Sequence, residues 1–139
     1  MGFTLDERLA ASSHLITAPG GIQVRLADDA RFVWLLLIPE QDGISELHDL
    51  EEADRAALFT LANELGVWMK DHFAADKINT AAIGNLVAQL HLHVVARHRT
   101  DSAWPAPIWG AGDPQPRSAE ARAGLIAQIA AFLDARGIG

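Results

Sequence analysis

The chain has 139 residues, half of them apolar, with 11 Lys and Arg against 18 Asp and Glu for a formal net charge of −7. That length suits one domain with its own core, and the apolar share excludes a disordered chain. The acidic excess argues against a nucleic-acid coat or a polybasic membrane anchor. Cysteine is absent, which removes disulfides, thiolate zinc sites, iron–sulfur clusters and thiol nucleophiles together. A nucleophile must then be a histidine, hydroxyl, amine or carboxylate, and the six histidines are the first place to look. Residues 1–7 lack the charged-then-apolar order of a secretory leader. The longest apolar run, residues 32–38, falls far short of the ~18–20 residues that span a bilayer. A soluble, cytoplasmic protein is expected.

Residues 6–12 read as a short opening helix and residues 14–17 as a strand, broken at Pro19-Gly20-Gly21. Residues 22–26 alternate apolar and polar, as a half-buried strand does. Residues 32–38 are apolar throughout and closed by Pro39, which predicts a central strand buried on both faces. Asp49, with Glu52 three residues on, predicts the cap of a long helix. Leu58, Leu61, Ala62, Leu65, Trp68 and Met69 then share one helical face. Residues 78–83 and 90–97 read as strands, residues 103–116 as a Trp- and Pro-rich loop, and a last helix starts near Ser118 and stops at Gly137. Strands joined by short turns imply an antiparallel sheet of about five strands with two larger helices, an α+β fold.

The chemistry concentrates in Gln89-Leu90-His91-Leu92-His93-Val94-Val95-Ala96-Arg97. On a strand Leu90, Leu92, Val94 and Ala96 share one face, while Gln89, His91, His93, Val95 and Arg97 share the other. Alternate residues are roughly 6.6 Å apart, so the imidazoles of His91 and His93 stand side by side. Burial of the leucine face fixes the register, because a slip by one residue would drive both rings into the core. The spacing alone admits three readings: a His-x-His metal site, a nucleophilic imidazole with an assisting partner, or polar residues at a strand edge.

The stretch Ile83-Gly84-Asn85-Leu86-Val87-Ala88-Gln89-Leu90-His91-Leu92-His93-Val94-Val95 closely resembles the signature of the histidine triad (HIT) family. That signature is three histidines each followed by an apolar residue, then two apolar positions. The order of elements over residues 3–100 resembles the family as well. A single HIT-like domain over residues 1–139 is therefore expected, with the loop and last helix in 101–139. The Gln-Leu-His start, Trp104-Pro105 and Trp109-Gly110 resemble a bacterial-type branch.

The resemblance implies cleavage or transfer at a nucleotide α-phosphate. His91 takes the place of the nucleophile that forms a nucleotidyl-imidazole intermediate, and His93 lines the phosphate site. Gln89 occupies the first histidine slot, where the backbone carbonyl orients the nucleophilic ring. Its amide exchanges hydrogen bonds but carries no proton charge, so no proton relay is expected there. Leu86 stands where several HIT hydrolases place a hydroxyl near the leaving group. The implied ligand is a purine nucleotide or nucleotide conjugate, with no metal, no cofactor, no nucleic acid and no membrane, and a homodimer is compatible with the family. Gln89 and Leu86 motivate an alternative, a catalytically weak nucleotide-binding or scaffolding protein. A metalloprotein using His91, His93 and a carboxylate such as Asp101 is the third reading.

Asn85 and Asn79 are candidates for phosphate or ribose contacts, Asp28 for a ribose hydroxyl, and Arg97 for phosphate if the strand continues that far. Phe3, Leu5, Leu26 and Phe32 are candidate base walls. The Trp/Pro loop could cover the site, pack on a partner subunit or fill the core. His14, His48, His72 and His98 are read as structural or surface residues.

Overall fold

The computed structural model describes residues 2–138. A helix α1 (Glu7–Ser12) leads into strand β1 (Ser13–Thr17), a tight turn, β2 (Ile22–Ala27) and β3 (Val33–Pro39). A long helix α2 (Glu52–His72) follows, then β4 (Lys77–Ala82), β5 (Leu92–Arg97) and α3 (Ala119–Ile138). The strands form one five-stranded sheet in the order β1-β2-β3-β5-β4, and every neighbouring pair is antiparallel. The turn between β1 and β2 needs Gly20, whose φ is +59°.

The two faces of the sheet divide the work. On one, Leu35, Leu37, Leu92, Val94 and Ala96 meet Leu58, Leu61, Leu65 and Met69 of α2 and Ile129 and Leu133 of α3 in the main core. Each such aliphatic side chain contributes about 1.5–3 kcal/mol on full burial. That core sets the register of β3 on β5, with Leu35 opposite Val94 and Leu37 opposite Leu92. The intervening residues, Trp34, Leu36, His93 and Val95, must then emerge on the opposite face. That face carries the site.

Most expected elements are present within one or two residues of their expected ends, and three details differ. Helix α2 starts at Glu52 with Glu51 as its N-cap. Asp49 instead closes the preceding turn, where its carboxylate accepts the N–H groups of Ser45 and Glu46 at 3.1 and 2.9 Å. The capping chemistry of Asp49 is therefore present, and it serves the tight turn before the helix. Strand β5 begins at Leu92, leaving His91 just ahead of its first ladder residue. Helix α3 runs through Gly137 to Ile138, and Ser118 caps its start by accepting the Ala121 N–H at 3.1 Å. Among the described residues no helix is long and apolar enough to cross a membrane.

Candidate active site

His91 and His93 are both buried, and their ring centroids are 4.9 Å apart at an interplanar angle of 70°. The stretch before β5 is held by the Leu90 N–H, which donates to the Ile44 carbonyl at 3.0 Å. The Nδ1–H of His91 donates to the Gln89 carbonyl at 2.7 Å. In the neutral ring, that bond leaves Nε2 with its lone pair free.

His93 is held the other way. The indole Nε1–H of Trp34 donates to its Nδ1 at 2.9 Å. Indole can only donate, so His93 accepts at Nδ1 and carries its proton on Nε2. Burial, reinforced by the nearby His91, lowers the pKa of His93 to about 4. His93 is therefore neutral at physiological pH and offers an N–H dipole. Its Nε2 has no protein partner, and neither does the buried Nε1 of Trp109, whose ring lies edge-on to His93 at 5.1 Å.

The two imidazoles open onto a cavity of about 750 Å³, within the roughly 300–1,000 Å³ typical of small-molecule sites. Leu9, Ala27, Leu36 and Ile108 give it apolar walls, and Asp28, Asn85 and Arg31 supply polar groups. A second cavity of about 150 Å³, lined by Ser45, Glu46 and Gly84, shares Ile83, Asn85 and His91 with the first. Gly84 allows this close packing, since a Cβ there would stand 2.8 Å from the Val87 carbonyl oxygen and 3.8 Å from His91 Cε1. Leu86 is 88% exposed at the rim of the larger cavity.

The other expected site residues divide into two groups. Asp28 and Asn85 line the large cavity. The Asp28 carboxylate lies 3.9 Å from His14 Nε2, and both facing atoms are buried without a hydrogen bond. Asn79 and Arg97 stand outside it. The Arg97 side chain is 2% exposed and donates to both Asp101 carboxylate oxygens, to Asn79 Oδ1 and to the Ala106 carbonyl. The same arginine holds the Asp101 carboxyl down at about 2. Arg97 does share the histidine face, as the strand period requires, yet its donors are committed to anchoring the loop that follows. Asp101, the carboxylate of the metal reading, is bound up in this ion pair. Among the described residues no three His, Asp or Glu side chains form a metal-binding group.

The candidate base walls also lie elsewhere. Leu26 sits in the main core, Phe32 packs with Val95 and Ile108, and Phe3 and Leu5 pack against Leu9, Leu36 and Ile38. In the Trp/Pro loop Ile108 fills core, while Trp109, Gly110, Gly112, Pro114 and Pro116 wall the cavity. Trp34 is the residue that sequence reasoning missed. Inside an apolar run it reads as core, and only its diagonal placement across β3 and β5 brings its N–H to His93.

Fold and site together define a class: an open antiparallel sheet whose fourth strand in spatial order, with the residue just ahead of it, presents paired imidazoles to a cavity of small-molecule size. A family model for the HIT domain matches residues 8–100, and the chain belongs to the HIT family. It is similar to a histidine triad protein from Sinorhizobium meliloti at 41% identity and a TM-score of 0.89, covering 91% of this chain and 94% of that one. A histidine triad protein from Marinobacter aquaeolei is 36% identical with a TM-score of 0.93, over 96% and 98% of the two chains. A hypothetical histidine triad nucleotide-binding protein from Sulfolobus tokodaii shares the fold at 16% identity and a TM-score of 0.67, over 88% of this chain and 84% of that one. No curated protein matches the chain.

Proposed function

We propose that the protein is a nucleotide hydrolase or nucleotidyl transferase that works at the α-phosphate through a covalent intermediate on His91. The observation that carries this reading is the hydrogen bond from His91 Nδ1–H to the Gln89 carbonyl, on a ring that lines a cavity of about 750 Å³. It leaves the Nε2 lone pair available for attack without a preceding deprotonation. Attack forms a phosphorus–nitrogen bond, and the bond to the leaving group breaks with its electron pair departing on that group. Water, or another acceptor hydroxyl, then attacks phosphorus; the phosphorus–nitrogen bond breaks with its pair returning to Nε2, which restores the neutral ring, and the proton of the attacking hydroxyl passes to solvent or to the departed group.

His93 supports the step through its Nε2–H, directed at charge developing on the phosphoryl oxygens. Its neutrality has a second use. An intermediate on His91 carries positive charge on the imidazole, and a protonated His93 at 4.9 Å between centroids would repel it. Among cavity residues, Asp28 is the candidate partner for a ribose hydroxyl and Asn85 for a phosphate oxygen. A purine nucleotide or its conjugate is the proposed ligand, and a cytoplasmic homodimer of the bacterial-type branch is the proposed setting.

Intact-mass spectrometry after mixing with an adenylated test substrate probes the intermediate directly. A mass increase of one adenylyl group, mapped to His91 and absent from His91→Ala, is expected. Turnover by a folded His91→Ala protein would overturn the assignment. The exposed Leu86 favours one alternative, because no proton donor stands at that point of the rim for the leaving group. On that reading the protein binds nucleotides but turns them over weakly. Calorimetry with AMP and GMP beside a hydrolysis assay separates the two, with tight binding and no turnover supporting the alternative.

A further inference from the structure

The side chain of Gln89 is engaged with the N-terminal segment. Its Oε1 accepts the Asp6 N–H at 2.8 Å, and its Nε2 donates to the Thr4 carbonyl at 2.9 Å. The backbone carbonyl of the same residue receives His91 Nδ1–H. A second tie lies nearby, where Arg8 Nη1 donates to the Leu86 carbonyl at 2.9 Å. The Asp6 carboxylate grips the rest of that guanidinium at 3.2 and 3.0 Å and caps α1 through the Arg8 N–H. Phe3 and Leu5 pin the segment to the cluster of Leu9, Leu36 and Ile38. The Thr4 N–H reaches Asp42 at 3.2 Å. Residues 3–8 thus form a strap tied to both ends of the 86–89 stretch.

We infer that Gln89 is a positioning residue whose amide locks this strap to the chain just before His91, and so holds the carbonyl that sets the tautomer and ring orientation of His91. The catalytic consequence rests on the nucleophilic role proposed above, while the structural coupling does not. Thr4 and Asp6 offer one acceptor and one donor, two residues apart. A carboxamide presents a donor and an acceptor side by side and matches both. An imidazole directs its two nitrogens apart, and a carboxylate lacks the donor. Glutamine at this motif position is then explained by what grips the strap, with no proton transfer asked of it. The Asp6 carboxyl is held below its ordinary value chiefly by its hydrogen bond to Arg8.

The test combines a structural and a kinetic readout on the full chain. Long-range proton–nitrogen NMR of histidine-labelled protein reports which nitrogen of His91 carries the proton. Wild type is expected in the Nδ1–H form, and Gln89→Ala in a mixture of both tautomers. With an adenylated substrate, Gln89→Ala should lose roughly tenfold in kcat while KM stays within about twofold, since orientation rather than binding is impaired. Gln89→Glu, which keeps the Asp6 bond and loses the Thr4 bond, should fall between. Loosening the strap by Phe3→Ser with Leu5→Ser should reproduce the tautomer shift, and adding Gln89→Ala should change little more. An unchanged His91 tautomer in folded Gln89→Ala, or fully additive effects of the two lesions, overturns the inference. Should Gln89→Ala not fold, the strap variant tests the coupling through the same tautomer readout, and an unchanged tautomer there overturns it equally. A wild-type protein without turnover would count against the proposed function and leave the tautomer result to decide this coupling.

Discussion

His91 and His93 stand two residues apart on one face of the sheet, yet their rings are held in opposite tautomers. His91 donates a hydrogen bond from its Nδ1–H to a carbonyl of its own chain segment, two residues back. His93 accepts a hydrogen bond at Nδ1 from an indole N–H on the neighbouring strand. One ring thereby exposes a lone pair and the other an N–H, which suits one to attack and the other to hydrogen-bond an anion. Their surroundings differ in kind as well. The strap beside His91 is polar, with Arg8 63% exposed, whereas the far end of β5 closes on a buried Arg97–Asp101 pair. Identical residues at motif spacing thus acquire distinct chemistry from what each Nδ1 meets.

The strongest break in this comparison is His91→Ala. Release of nucleotide from an adenylated substrate should fall by at least about a thousandfold, because the other groups cannot replace a lost nucleophile. Circular dichroism should show the fold retained. His93→Asn should lower kcat by roughly tenfold to a hundredfold with a smaller change in KM, the pattern of a donor used mainly in the transition state. An unchanged rate would remove His93 from the phosphate site.

Next comes the buried pair. Asp101→Ala leaves the Arg97 guanidinium buried without a counter-charge, and urea unfolding should show a loss of about 3–5 kcal/mol. The carboxyl of Asp101 titrates at about 2 in the fold against an ordinary value of 3.8. Its contribution is complete above pH 3.8 and drains away as pH falls toward 2, since the unfolded chain takes the proton first. His93 has its own window. With a folded pKa of about 4 against 6.5, the unfolded chain binds the extra proton between those values. Stability should therefore decline as pH drops from 6.5 to 4, and His93→Asn should flatten that part of the curve.

The smallest effect separates residues inside the cavity from those beside it. Asn79→Ala removes one hydrogen bond to Arg97 and should cost about 1 kcal/mol of stability with KM unchanged. Asp28→Asn, on the cavity wall, should raise KM with little loss of stability. Reversal of that pair of outcomes would put Asn79 back in the site.

Much of this arrangement is legible in the sequence. The apolar run 32–38 forms the central β3, the helical face from Leu58 to Met69 forms core, and the period of two puts both histidines on the face opposite that core. Arg97 is less legible. Its face follows from the strand period, but whether a guanidinium meets ligand or protein depends on how the following loop folds back to bring Asp101 and Ala106, and β4 to bring Asn79, against it. Trp34 is hidden for a related reason: its apolar neighbours mask it, and the bond it makes spans 59 residues of sequence.

Local chemistry by itself determined the α+β layout and the side of the sheet that bears the imidazoles. Backbone periodicity and composition are properties of short windows, so a single chain suffices to read them. Tertiary structure alone decided which nitrogen of His93 carries its proton, that Asp28 and Asn85 reach the cavity while Asn79 and Arg97 do not, and that Gln89 answers to the N-terminal strap. Hydrogen-bond partners distant in sequence settle such matters, because a buried polar group takes whichever donor or acceptor the packed fold brings within reach.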